Sequence, residues 1–223
     1  MTLNKEKSQY DSPLELNKIN AVIFDLGGVI LNLDYQRTVF ELQKLVPSLD
    51  ANTFYGKEQQ LSFYSHYEIG KITSSELLQA FNRHYQVELN MRDFEKAWNA
   101  MILNFPANRI DLIKRISTRK KVFLLSNINA LHEEAVDIEY AKIAPGDFRA
   151  LFENVYYSHL TGMRKPDPQT FQVILDENKI SVSEVLFIDD SHHHILGAQS
   201  IGIPSVHLSK PQTLEDLLSE LNL

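Results

Sequence analysis

The sequence predicts an α/β fold: a doubly wound parallel sheet with a helical bundle inserted after its first strand. Three observations predict it. Short apolar runs, each closed by polar or glycine residues, have the continuity of strands buried on both faces. From residue 107 to the end these runs alternate with helical periodicity, the signature of a parallel sheet wrapped by helices. Between the first run and residue 105 the pattern is almost wholly helical.

The first strand is Ala21-Val22-Ile23-Phe24, which runs into Asp25 and the turn Gly27-Gly28 before Val29-Ile30. Helical signals fill residues 35–105. Thr73-Ser74-Ser75-Glu76 is a capping box, in which hydroxyl and carboxylate each satisfy a free amide of the helix start. Leu77, Leu78 and Phe81 follow at helical spacing. Phe94, Ala97, Trp98, Met101 and Ile102 repeat at i, i+3, i+4, i+7 and i+8, one apolar face read as core. Pro106 closes the bundle. Ile110, Ile113 and Ile116 mark the next helix, and Val122-Phe123-Leu124-Leu125 the second strand, ending at Ser126-Asn127. Residues 130–150 read as mainly helical with a break at Pro145-Gly146. Val155-Tyr156-Tyr157 is the third strand, residues 162–168 a rigid loop, and 169–177 a helix. Val185–Ile188 is the fourth strand, ending at Asp189-Asp190. A helix over 192–201 stops at Gly202, as glycine favours, and residues 204–208 form the fifth strand. Thr213 caps a last helix with Leu214, Leu217, Leu218 and Leu221 on one face. The expected division is an N-terminal extension over 1–20, a core of 21–34 and 106–223, and a helical insertion over 35–105.

Composition narrows the function. The chain has 223 residues, 43% hydrophobic and 23% charged, with a net charge of −7, ordinary for a globular protein. Its acidic balance argues against a nucleic-acid partner. The basic cluster Arg115–Lys121 falls where a helix end precedes a strand, a place that suits cations. The chain has no cysteine, which removes disulfide and thiolate chemistry and is compatible with a cytoplasmic location. No apolar run reaches membrane-spanning length, and the polar residues 1–20 lack the apolar centre of a signal peptide.

The polar residues that close the strands carry the chemistry. Asp25, Ser126-Asn127, Lys165 and Asp189-Asp190 follow different strands, and in a parallel sheet such ends share one edge. Several carboxylates in one small site raise one another's pKa. A Mg²⁺ ion relieves this, because it favours one or two carboxylates together with water and a substrate phosphate. Lys165 adds the positive charge that a phosphoryl group needs. Ser126 reads as a helix-start residue, and helix starts suit anions.

These four stretches resemble the motifs of the haloacid dehalogenase-like superfamily, in order and over roughly residues 20–210. Phe24-Asp25-Leu26-Gly27-Gly28-Val29 matches the strand ending in Asp-x-Asp-Gly. Leu124-Leu125-Ser126-Asn127 matches the serine or threonine motif, Gly162-Met163-Arg164-Lys165-Pro166 the lysine motif, and Phe187-Ile188-Asp189-Asp190-Ser191 the acidic pair. The resemblance implies a Rossmann-like core, with the 35–105 insertion as a helical cap. It is nearest in wording to the branch that contains sugar-phosphate phosphatases. It implies that Asp25 attacks phosphorus and becomes an aspartyl phosphate. Mg²⁺ would meet Asp25, the backbone carbonyl of Gly27 and Asp190, with Asp189 bound directly or behind it. Ser126, the amide of Asn127 and Lys165 would hold the phosphoryl group of a small phosphorylated metabolite.

The family's second aspartate, which protonates the leaving group, is Gly27 here. Such groups typically contribute about 10²–10⁴-fold. A phosphatase whose leaving group needs little help, such as a sugar 1-phosphate or acyl phosphate, fits this change, as does one in which a cap residue or a bound water supplies the proton. A 2-haloacid dehalogenase is the alternative, opposed by the acidic pair, which such relatives do not use to hold a metal. A catalytically silent binding module is another, supported by Gly27. His192-His193-His194 reads either as a metal tract or, preferably, as a polar helix start whose His194 orients a carboxylate or Lys165. Asp34 reads as a turn residue or as part of the cap entrance. Arg164 either reaches substrate or braces its loop.

Overall fold

The computed structural model describes residues 16–50 and 62–223. The expected extension over 1–20 lies for the most part outside the described residues, as does the 51–61 stretch of the helical insertion. Five parallel strands form the sheet: β1 (Ala21–Phe24), β2 (Lys121–Ser126), β3 (Asn154–Tyr157), β4 (Val185–Asp189) and β5 (Ser205–His207). Their order is β3-β2-β1-β4-β5. The chain winds outward from β1 through β2 to β3, then returns to the other side of β1 for β4. The direction therefore reverses between β1 and β4, and ligands gather at the carboxyl ends of such a switch point.

Side chains alternate across each strand, and this sorts the apolar runs into two cores. Val22, Phe24, Val122, Leu124, Leu186 and Ile188 share one face with Ile110, Ile113, Leu214 and Leu217. Ala21, Ile23, Phe123, Leu125, Val185 and Phe187 share the other with Phe171, Ile174, Ile195 and Ala198. Both faces are covered, which is why the strands read as continuous apolar runs rather than alternating ones.

The helices in chain order are α1 (Tyr35–Leu45), α2 (Ser62–Glu68), α3 (Ser74–Tyr85), α4 (Met91–Trp98), α5 (Ala107–Ser117), α6 (Ala130–Ala141), α7 (Ser158–Thr161), α8 (Pro168–Asn178), α9 (His192–Gln199) and α10 (Leu214–Glu220). The capping box at Thr73 forms: its hydroxyl accepts from the Glu76 amide at 3.2 Å, and the Glu76 carboxylate accepts from the Thr73 amide at 2.7 Å. Thr213 caps α10 in the same way through Asp216. Asp34 is the N-cap of α1, accepting from the Gln36 amide at 3.1 Å.

Helices α1 to α4 bury a third core containing Val39, Leu42, Tyr67, Leu77, Phe81, Phe94 and Trp98. The Phe81 and Phe94 rings meet edge to face at 5.0 Å, which adds about 0.5–1.5 kcal/mol to their burial. Leu131 of α6 belongs to the same cluster, so the bundle rests on the start of that helix. The expected helical face through Met101 bends: α4 ends at Trp98 and a 3-10 turn carries Asn99–Met101. Thr38 braces this turn: its hydroxyl donates to the Trp98 carbonyl at 2.9 Å and accepts from the Met101 amide at 3.0 Å. The two crossings between sheet and bundle pair with each other through Asn32 to Asn104 and Asp34 to Met101 backbone bonds.

Candidate active site

The register sets Phe24 beside Leu124 and Ile188, so the residues that follow all emerge at one edge. The Asp25 amide donates to the Ile188 carbonyl at 2.9 Å. The chain then turns sharply at Gly28, whose φ of +76° favours glycine. A Cβ there would lie 2.1 Å from Asp190 Oδ2. Only a glycine lets the Asp190 carboxylate approach the turn after β1. At Gly27, a Cβ would lie 2.4 Å from Cδ1 of Leu33. The atom met is the tip of a flexible side chain, so the packing at Gly27 is close but adjustable.

Lys165 is wholly buried and links the cluster. Its ammonium donates to Asp25 Oδ1 at 2.7 Å, Asp189 Oδ2 at 2.7 Å and the Leu125 carbonyl at 2.9 Å. These are all three of its N–H bonds, and the side chain lies beneath Asp25 rather than in the cavity wall. Asn127 clamps the backbone of the same residue, accepting from the Lys165 amide and donating to its carbonyl, both at 2.9 Å. Asp189 is equally engaged. Its Oδ1 accepts from the Ser191 amide at 2.7 Å, and His194 Nδ1 lies 3.0 Å from both of its oxygens. His194 thus orients a carboxylate, while His192 and His193 are exposed. Asp190 points toward the turn after β1, and its carbonyl accepts from His207 Nε2 at 2.9 Å.

Asp25, Asp189 and Asp190 each offer an oxygen within 4.8 Å of the others. One ammonium faces three carboxylates, and the electrostatics follow. Burial, opposed by Lys165 and aided by Asp189 and Asp190, pushes Asp25 up to about 7. Burial and the Asp189 charge push Asp190 up to about 6. Burial works against the ionised form of Asp189 too, but Lys165 and His194 together hold it down at about 2. Burial would deprotonate Lys165, yet the two aspartates keep its ammonium charged. The cluster is short of positive charge on the side where Asp25 and Asp190 face each other.

A cavity of about 570 Å³ opens above this edge, within the usual range for small-molecule sites. Asp25, Ser126, Asn127 and Asp190 line it from the sheet; Tyr64, Glu68 and Trp98 line it from the bundle. Ser126 is the last residue of β2 and is not the helix cap expected of it. The chain continues for three residues, and Asn129 caps α6 by accepting from the His132 amide at 3.0 Å. Behind this loop, Ser158 donates to the Ile128 carbonyl at 2.9 Å and accepts its amide at 3.0 Å. His132 stacks on Trp98 with ring centroids 5.5 Å apart, and burial pushes it down to about 4, so its ring is neutral at pH 7. Glu68, His132 and Asn129 were not singled out from the sequence. Only Asn129 carried a readable signal, an asparagine just ahead of a helical pattern.

A parallel sheet with a carboxylate cluster and a buried lysine at its switch point is the arrangement of a Rossmann-like protein that works on a ligand at its strand ends. The chain belongs to the haloacid dehalogenase-like hydrolase family, whose model matches residues 19–202. It is 26% identical, over 92% of its length and 98% of the relative's, to a D-ribitol-5-phosphate phosphatase of Bacteroides thetaiotaomicron. It is 23% identical to a phosphatase of Mycobacterium tuberculosis, over 92% of this chain and 94% of the other. A HAD-family enzyme of B. thetaiotaomicron, solved with magnesium and inorganic phosphate, superposes with a TM-score of 0.76 at 27% identity, covering 89% of this chain and 98% of that one. Among the described residues no helix is long and apolar enough to cross a membrane.

Proposed function

We propose that this chain is a Mg²⁺-dependent phosphatase acting on a small phosphorylated metabolite. The observation that carries the reading is the Asp25–Lys165–Asp189 chain of 2.7 Å contacts at the switch point. It holds Asp25 Oδ1 in place and leaves its second oxygen for in-line attack on phosphorus. A bond forms from that oxygen to phosphorus as the ester oxygen departs with its electron pair. Water then cleaves the aspartyl phosphate and returns the carboxylate. Ser126 and the Asn127 amide are the proposed phosphoryl contacts, and Lys165 acts by fixing Asp25.

The donor set fits a hard divalent cation: three clustered oxygens with one ammonium among them, two of the carboxylates held above their usual range. Asp25, Asp190 and the Gly27 carbonyl would hold Mg²⁺, with Asp189 behind them because both its oxygens are engaged. Bound there, the ion would neutralise charge on the phosphoryl oxygens. Residues 21–34 and 106–223 serve as the catalytic core, and 35–105 as the cap that supplies contacts to the leaving group.

Phosphate release from an ester panel, with Mg²⁺ and with EDTA, tests the reading. Activity should need the metal, and Asp25→Asn should abolish it; full activity in that variant would overturn the nucleophile assignment. With glycine at position 27 no carboxylate there can protonate the leaving group, which favours groups that depart unprotonated, so sugar 1-phosphates should exceed sugar 6-phosphates. The ribitol 5-phosphate phosphatase relative supports primary esters instead, and the same panel decides between them.

A further inference from the structure

Glu68 and Arg164 form an ion pair in the wall of the cavity. Arg164 comes from the loop of the sheet side and immediately precedes Lys165, whose backbone Asn127 clamps at both its N–H and its carbonyl. Glu68 is the last residue of α2. That helix end is also fixed. The Tyr67 hydroxyl accepts from the Leu131 amide at 3.1 Å, and Gly70 sits so close to the His159 carbonyl that a Cβ would lie 2.1 Å from it. The side chains of Glu68 and Arg164 are 23% and 35% exposed, so part of each faces the cavity.

As a stabilising contact this pair contributes little. Burial raises the cost of keeping the Glu68 carboxyl ionised, and the Arg164 charge offsets only part of it. As a recognition surface it is well suited. A guanidinium offers several donors and a carboxylate several acceptors, and the two charges cancel. The neighbouring wall is apolar and aromatic, from Tyr64, Trp98, Met101 and Ile102.

We propose that Glu68 and Arg164 are the leaving-group subsite, binding the hydroxyl groups of an uncharged polyol or sugar and rejecting a second anionic group. The proposal rests on the phosphatase reading and deepens it. The Glu68 charge is the discriminating element: it neutralises an arginine that would otherwise welcome a carboxylate or a second phosphate beside the first.

The test uses the full chain with Mg²⁺ and two matched substrate pairs: glycerol 3-phosphate against 3-phosphoglycerate, and ribitol 5-phosphate against ribonate 5-phosphate. Within each pair a CH₂OH group becomes a carboxylate. The wild type should favour the uncharged member of at least one pair by about tenfold or more in kcat/KM, the scale of one uncompensated charge at close range. Glu68→Gln should lower that ratio about tenfold, and Arg164→Gln should raise it. A brace between helix and loop would move both variants the same way. That result, unchanged ratios, or a wild-type preference for the carboxylates would overturn the subsite. If one variant does not fold, the wild-type preference and the other variant still decide. Absence of activity on every ester, p-nitrophenyl phosphate included, would overturn the phosphatase reading beneath it.

Discussion

Lys165 sits under Asp25 with three short bonds and no exposed surface, and its removal would take from two buried carboxylates the ammonium they share, leaving Asp189 to Ser191 and His194. The surrounding residues are as constrained. At Gly28 an alanine meets both a positive φ and the Asp190 carboxylate. Gly28→Ala should destabilise the fold by about 1–2 kcal/mol from the backbone alone. By displacing Asp190 it should also weaken Mg²⁺ activation at least tenfold, read as the metal concentration for half-maximal phosphate release. Asp25 makes stability depend on pH. Burial pushes it up to about 7, from an ordinary value of 3.8, so folding is favoured by its proton below about pH 4, and that contribution is lost as pH rises to 7. Asp25→Asn has no such proton. In EDTA the wild type should therefore lose stability relative to Asp25→Asn, by a few kcal/mol between pH 4 and 8. Urea unfolding of the two proteins across that range checks the sign; a difference that does not change would refute it.

At the scale of elements, the start of α6 joins the sheet to the bundle. Asn129 caps the helix, donates toward His132 Nδ1 at 3.1 Å and lies 3.4 Å from Trp98 Nε1. Asn129→Ala should cost about 1 kcal/mol as a lost cap, measured as a lower urea midpoint, and should raise KM because Trp98 lines the cavity. Thr213→Ala removes the capping bond of α10, remote from the cavity lining, and should lower the midpoint while leaving KM alone. The same junction explains an error of expectation. Serine is a common cap and Ser126 ends a strand, so the two roles looked compatible. In the fold three further residues separate Ser126 from α6, and the side chain stays at the sheet edge. The Phe94–Ile102 stripe was legible as one apolar face, but its backbone turns after Trp98, whose carbonyl accepts from Thr38 of another helix. No periodicity in residues 91–102 contains that information.

For the whole molecule, a cation that binds only the folded chain must stabilise it. At a hundred times its Kd, Mg²⁺ should add about 2.7 kcal/mol. For a chain of this size that is a Tm rise of roughly 5–10 °C. EDTA should reverse it and Asp190→Asn should remove it; an unchanged Tm in differential scanning calorimetry would count against a metal site there. The sheet, its two apolar faces and the gathering of Asp25, Ser126, Lys165 and Asp189 at one edge were determined by the sequence alone. Strand burial is a local property: an apolar run of fixed length with a polar end can be read residue by residue, and parallel winding brings such ends together. What only the tertiary structure decided is what faces those residues. The engagement of Asp189 on both oxygens and the turn of Asp190 toward Gly28 depend on how the loops of the sheet edge meet, and Glu68 meeting Arg164 across 96 residues of sequence depends on how the bundle docks on the sheet. That docking is the sum of many weak long-range contacts, and none of them leaves a period or a motif in the chain.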